Sequence, residues 1–538
     1  MAGHGSRPLR GLESTSQSSV QTAKFGRMFR WLEPAIAPEG PSEEAGARAM
    51  LTGLAGLMVT SEFEGNVASH KFPNDTPDAP IERSEPADEN VRVAAGYTYF
   101  GQFVDHDITF DPASSLQRLN DPDALEDFRT PRLDLDCLYG RGPADQPYLY
   151  DRASGRGKFI LGANRGIAGM DRPDLQRTAD GTALIGDKRN DENKIVGQIQ
   201  ALFLKFHNRI YDQIASKFGP NQQDAHFNEA QRIVRWCYQW IVLNDFLPKV
   251  CDPAIVAQVM PAAGQREPRL QFYRPHGGDA YIPVEFSVAA YRFGHSMVRP
   301  SYALNDVARS TASFNGKKFG RIPIFVRQSA ASTDAMNGFG EALPDAWGID
   351  WAFFFGTPGT HPDGQKQIPQ PSYRMDAFLV DPLGALPEFA NAPSPFASLA
   401  FRNLQRGVSM GLPSGQNVAR MMGAQVVLSD EQLWAVRNEE ESLVPWPEGK
   451  AFYDKPQNRK WLAGVAPLWY YILKEAEIMN HGHHLGEVGS RIVAETLVGL
   501  AWNDHYSYLF QMPRWNPSVE KLGLGANLDM LELTKFVG

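Results

Sequence analysis

Residues 101–107 read GQFVDHD, which places a glutamine, two aspartates and a histidine within seven positions, entered through VAAGYTYF. On a helix, Gln102 and His106 share a face, Asp105 lies beside it and Asp107 points elsewhere. A histidine next to a positioned amide suits a proton shuttle. A surface helix or a satisfied core histidine is equally open from this stretch alone. A second histidine, His295, stands in YRFGHSMVRP, where Gly294 removes a side chain and lets a flat ligand or a second backbone approach. One histidine on each of two apolar helices suits a haem held between them, with one ligating iron and the other working above it. Two unrelated core histidines remain the alternative.

Three further stretches carry polar chemistry. In GDKRNDENK, Arg189 precedes a long helix with Asp191 and Glu192 in its first turn, where the helix dipole by itself also favours acids. In RTPRLDLDCLYG, Thr130, Asp134 and Asp136 offer hard oxygens at alternating positions of an extended loop, which suits calcium or a solvated acidic loop. In NLQRGVSMGLPSG, Asn403 and Arg406 share a helical face. An asparagine can accept a hydrogen bond from the far nitrogen of a ligating histidine and so set its tautomer. HGHHLGE, with His481, His483, His484 and Glu487, matches no closed metal site and reads as surface histidines between two helices.

The elements that must position these residues are mostly helices. KIVGQIQALFLKFHNRIYDQI sets Ile195, Ile199, Leu202, Phe206 and Ile210 on one side at a period near 3.6. EAQRIVRWCYQWIVLNDFL, VEFSVAAYRFGHSMV (stopped by Pro300), KWLAGVAPLWYYILKEAEIM and GEVGSRIVAETLVGLAW read the same way. Clear β alternation is scarce, long Pro/Gly-rich connections such as 305–395 intervene, and no internal repeat is visible. The expected fold class is mainly α: one large domain over 46–538 with long loops and little β, after a polar extension over 1–45 that wraps the surface or stays mobile.

Composition narrows the class further. The chain has 538 residues, 43% hydrophobic and 21% charged, with a net charge of −9. This is an ordinary globular balance with a core large enough for a bulky cofactor and no general attraction to nucleic acid or anionic membrane. Cys137, Cys237 and Cys251 are odd in number and match no zinc spacing, which argues against a disulfide framework. The N-terminal stretch has no apolar leader region, and runs such as LTGLAGLMVT are too short to span a bilayer. The expected compartment is therefore the cytoplasm, or the exterior by a non-classical route. Asn74 fits a glycosylation sequon, which carries little weight without a secretory leader.

Taken together, GQFVDHD, TPRLDLDCLYG, GDKRNDEN, YRFGH and NLQRGVSMGLP occur in the order found in the animal-type haem peroxidases of the peroxidase–cyclooxygenase superfamily. The chain resembles that family over roughly residues 95–420, and LGEVGSRIVAET extends the resemblance toward residue 510. The resemblance implies a haem peroxidase that reduces hydrogen peroxide through compound I. It would oxidise phenols, aromatic amines or anions such as iodide, bromide and thiocyanate, in a setting of oxidative stress. It implies His106 as the distal histidine, Gln102 as the amide that bonds water or substrate, Arg189 as the distal arginine and His295 as the iron ligand. Asn403 would be the hydrogen-bond partner of His295, with Arg292 and Arg406 near the haem propionates. The cofactors implied are haem b, ester-linked where Asp105 and Glu192 act as the family's carboxylates do, and calcium. Asp107, Thr130, Asp134, Asp136 and the carbonyl of Arg132 would hold the calcium.

Where myeloperoxidase forms a sulfonium link through a methionine, Asn193 stands here, so that link cannot form. Cyclooxygenases and fatty-acid dioxygenases carry a radical-forming tyrosine three residues before the proximal histidine; here that residue is Arg292, and Tyr291 is one step off. The missing leader and few cysteines fit a bacterial member. The rival readings are a fatty-acid haem dioxygenase and a non-catalytic haem- or calcium-binding adhesion module.

Overall fold

The computed structural model describes residues 25–59, 88–109, 130–219, 222–275, 279–311, 313–314, 317–318, 321–325, 335–359, 368–389, 391–438 and 441–538. Asn74 lies outside them. The fold is mainly α, as expected. Its principal helices are α1 (Pro41–Met58), α2 (Gly96–Ile108), α3 (Lys194–Phe218), α4 (Gln223–Ile241), α5 (Leu399–Ser409), α6 (Leu468–Asn480) and α7 (Glu487–Asn503). Strands among the described residues form only two-stranded ladders. In one, β1 (Phe25–Gly26) runs parallel to β3 (Ile282–Pro283). In another, β2 (Glu89–Ala94) runs antiparallel to β4 (Pro371–Tyr373).

Helix α3 forms where the apolar period places it, with Ile195, Ile199, Leu202, Phe206 and Ile210 all buried. Asn193 caps it by accepting from the backbone N–H of Ile195 and Val196, and Gly219, with φ 87°, ends it. Asp191 and Glu192 therefore lie ahead of the cap rather than in the first turn, and Asp191 belongs to a 3-10 turn over Lys188–Asp191. Helix α2 packs on α3 through Phe103 stacked on Phe203 at 5.0 Å, and Phe100 meets Phe246 edge-on at 5.6 Å. The start of α2 needs glycine. Gly96 N–H donates to Phe354 O at 2.9 Å, and a Cβ there would stand 2.5 Å from that oxygen.

The segment around His295 is not one α-helix. Glu285–Ala289 is a π turn and Ala290–His295 a 3-10 helix, separated by a break at Ala289 (φ −129°, ψ −72°). Period alone cannot separate these forms, because all three bury one stripe. In KWLAGVAPLWYYILKEAEIM the break is at Gly464 (φ 70°) and Pro467, so that a short helix over Pro456–Leu462 ends and α6 begins at Leu468. The loop 130–136 is also less extended than its alternation suggests: Leu135 is left-handed (φ 57°) and Asp136 opens a one-turn helix.

Residues 25–36 do not behave as a loose extension. Phe25, Met28, Phe29 and Ile36 are buried. The N–H groups of Met28 and Phe29 each donate to the buried carboxylate of Glu285 at 3.0 Å. Arg27 donates to the carbonyls of Met410 and Gly411 at the end of α5. This strap thus ties the π turn before His295 to the helix that carries Asn403. No helix among the described residues is long and apolar enough to cross a membrane.

Candidate active site

Helix α2, the 3-10 helix over Ala290–His295 and α5 enclose a cavity of about 890 Å³. That is within the range of about 300–1,000 Å³ common for enclosed ligand sites. Gln102, Asp105, His106, Arg189, Glu192, Arg292, His295, Asn403 and Arg406 all line it, so the structure gathers residues that are up to three hundred positions apart in the chain. A Cβ added at Gly294 would meet nothing within 4 Å, so the backbone beside His295 opens onto the cavity.

His106 is 4% exposed. Its Nδ1 lies 2.8 Å from Asn190 Oδ1, and Asn190 Nδ2 donates to Gln200 Oε1 at 2.8 Å. Its Nε2 stands 4.0 Å from Glu192 Oε2, beyond hydrogen-bond reach. Burial, and then the Arg189 guanidinium, push the imidazole down to about 4, so the ring is neutral at ordinary pH. Arg189 is braced by Asp187, 2.8 Å from its Nη2, and by the carbonyl of His106 at 3.1 Å.

Gln102 lines the cavity with its amide held by neighbouring side chains. Its Nε2 donates to Glu192 Oε2 at 2.8 Å and its Oε1 accepts from Asn193 Nδ2 at 3.1 Å, so the amide is engaged at both ends by protein. Asn193 thus caps α3 and positions Gln102 at once, which gives a physical reason for an amide where a methionine would do neither. Burial, and then Glu388, push the Glu192 carboxyl up to about 8. Asp105 Oδ1 accepts from Thr109 Oγ1 at 3.0 Å.

On the other side, burial and Arg292 hold His295 down to about 3, so it too is neutral. Its Nδ1 lies 2.8 Å from Asn403 Nδ2, and Asn403 Oδ1 accepts from Arg292 Nη1 at 3.1 Å. The amide therefore presents its nitrogen to His295, opposite to the expected sense. Tyr291 also lines the cavity, with its hydroxyl donating to Gly101 O at 3.3 Å. Arg292, three residues before His295 on a helix of period three, shares the face of His295 instead.

Asp107 leaves the opposite side of α2 and meets Asp134 and Asp136. Ligand oxygens of the three lie within 4.8 Å of one another, and all three residues are buried. Asp107 Oδ2 accepts from Leu135 N–H at 3.1 Å, whereas Oδ1 has no hydrogen-bond partner among the described residues. Burial, then Asp134 and Asp136, push the Asp107 carboxyl well above the usual range. Such a cluster fits a hard divalent cation. Thr130 Oγ1 donates to Asp134 Oδ2 at 2.9 Å. The Arg132 side chain turns toward Asp504, 3.9 Å away, which leaves only its backbone for a cation.

The histidines of HGHHLGE do not converge. His481 pairs with Glu441, His483 lies 3.3 Å from Asn90 Oδ1 and His484 lies 2.9 Å from Leu485 O. Sequence reasoning passed over Asn190, although it lies inside GDKRNDENK, and over Phe25, which reaches the cavity from the N-terminal strap. Only the fold brings either to the site.

Residues 117–344 match the family model for animal haem peroxidase. Thyroid peroxidase from Canis lupus familiaris is 26% identical over 184 residues, covering 31% of this chain and 19% of that protein. A peroxidase-like protein from Margaritifera margaritifera is 35% identical over 123 residues, covering 21% of this chain and 14% of that protein. The matched stretch thus spans less than a fifth of either relative's length. Among solved structures, peroxidase A from Dictyostelium discoideum superimposes with a TM-score of 0.56 at 15% identity, covering 96% of this chain and 93% of that one. Fatty acid alpha-dioxygenase from Oryza sativa gives 0.51 at 14% identity, covering 89% and 78%, and these two likenesses concern the fold alone. Residues 117–344 thus carry a match to the animal haem peroxidase family, and the chain as a whole shares the fold of the solved structures.

Proposed function

We propose that this chain is a haem peroxidase that reduces hydrogen peroxide and oxidises small phenols, aromatic amines, or anions such as iodide, bromide and thiocyanate. The observation that carries the reading is a buried, neutral His106 whose Nε2 makes no hydrogen bond among the described residues and which shares one cavity with a neutral His295. His295 would hold the iron of a b-type haem, and Arg292 and Arg406 its propionates. Asp105 and Glu192, which line the same cavity, would form ester links to it. When bound, the haem supplies the redox chemistry. His106 Nε2 takes the proton of the incoming peroxide and returns it to the departing oxygen as water leaves, a role worth roughly 10²–10⁴-fold. Arg189 offers fixed positive charge to the breaking O–O bond. Asp107, Asp134 and Asp136, with Thr130 and the Arg132 carbonyl, would bind calcium and hold the register of α2.

Stopped-flow absorbance on the haem-loaded protein tests this. Peroxide should perturb the Soret band rapidly, a phenol or iodide should restore it, and His106→Ala should slow the first step at least a hundredfold. His295→Ala should lose tightly bound haem. Oxygen uptake with a fatty acid and no peroxide, or a Soret band indifferent to peroxide, would overturn the reading. Acid–organic extraction decides the ester links: haem that leaves the protein cleanly means that Asp105 and Glu192 only pack against it.

A further inference from the structure

Two buried histidines show by contrast what His106 is built for. His207 on α3 is fully buried and both its nitrogens are engaged, Nδ1 with the Tyr139 hydroxyl at 3.0 Å and Nε2 with Gly157 O at 3.0 Å. It is a structural histidine, satisfied on each side. His106 is engaged on one side only. Its Nδ1 meets Asn190 Oδ1, Asn190 passes the chain on to Gln200, and both amides are 0% exposed. The chain ends in a donor, Gln200 Nε2, with no hydrogen-bond partner among the described residues. A buried donor left unsatisfied is destabilising, so stability alone does not account for this arrangement.

We infer that Asn190, held by Gln200, is a positioning residue that fixes the tautomer of His106: Nδ1–H donates to the amide oxygen and Nε2 presents its lone pair to the cavity. The partner on one ring nitrogen decides where the proton of a neutral imidazole resides. With Asn190 Oδ1 as acceptor the proton stays on Nδ1, and the nitrogen facing the cavity is a base. The reverse tautomer would present Nε2–H, a donor unable to accept a proton from an incoming ligand. Asn190 reaches this position because the 3-10 turn over Lys188–Asp191 is braced by Asp187, whose side chain accepts from Arg189 N–H at 2.9 Å. One turn thus places Arg189 beside His106 and Asn190 behind it. This inference rests on the peroxidase reading and deepens it.

The test compares two ligands on the haem-loaded protein. Hydrogen cyanide binds ferric haem as the anion, so its proton must pass to His106 Nε2. Carbon monoxide binds ferrous haem with no proton transfer. Asn190→Leu, which removes the acceptor, should slow cyanide binding about 10- to 100-fold, the usual scale for a residue behind a functional histidine. Carbon monoxide binding and haem content should stay unchanged. Asn190→Asp, an acceptor-only group of the same shape, should restore the cyanide rate. If Asn190→Leu does not fold, Gln200→Met, which frees the Asn190 amide to rotate, should give a smaller loss with the same selectivity for cyanide. Equal slowing of both ligands, or no slowing of cyanide in a folded variant, would overturn the inference. A wild-type protein that binds no haem, or leaves bound haem untouched by cyanide and peroxide, would instead overturn the peroxidase reading.

Discussion

His106 is buried and His295 half-buried; both are bases without charge, and for each the first cause is desolvation. For His106 the consequence is a wide working range. Its conjugate acid forms only as pH falls through about 4, far below the ordinary value of 6.5. Because the lowered value keeps Nε2 unprotonated, the rate of the peroxide step should hold from neutrality down to about pH 5 and fall by half near pH 4. An acid limb centred near 6.5 in the pH profile would show that the imidazole is solvated. At the same scale, Asn193 and Gln102 form a unit: one amide caps α3 and orients the other. Their types were visible in the sequence. Their mutual use was not, because residues ninety positions apart meet only when α2 lies on α3.

At the scale of elements, the strap over residues 25–36 is the least expected feature. The sequence reads as an extension that wraps the surface or stays mobile; over 25–36 Phe25, Met28, Phe29 and Ile36 are buried and Glu285 accepts two of its backbone N–H groups. Glu285 lies on the π turn that leads into the His295 helix, so the strap braces the proximal side from outside. Glu285→Ala would leave two N–H groups without acceptors, each at a cost of about 1–3 kcal/mol. The variant should unfold at lower temperature and release haem to an apoglobin acceptor faster than the wild type. Unchanged haem retention would confine the strap to general stability. The helix around His295 shows why periodicity misleads here. A π turn followed by a 3-10 helix buries one stripe as an α-helix does, so the apolar pattern does not tell them apart.

At the scale of the molecule, α2 is held from two sides, by the cavity through His106 and by three carboxylates through Asp107. Burial and the two neighbouring carboxylates push Asp107 up, an unfavourable grouping that a cation joining the three would relieve. A cation bound at a hundredfold excess over its Kd contributes about 2.7 kcal/mol to the folded state. Chelation of calcium should therefore lower the melting temperature and, by loosening α2, reduce turnover with haem still bound; re-addition should restore both. A melting curve and a turnover rate that ignore chelation would exclude a cation that supports α2.

The mainly helical class, the two histidines, Arg189 and the carboxylates of the 107–136 cluster were legible in the sequence. Helical period and residue chemistry are local properties, and the order of the motifs carried the family resemblance. The partners of those residues were settled only by the tertiary structure. The Asn190–Gln200 chain, the engagement of Gln102 by Glu192 and Asn193, the sense of the Asn403 amide and the strap on Glu285 are all contacts between distant segments. A hydrogen bond depends on the position and direction of both groups, and for segments this far apart only packing of the whole core fixes those.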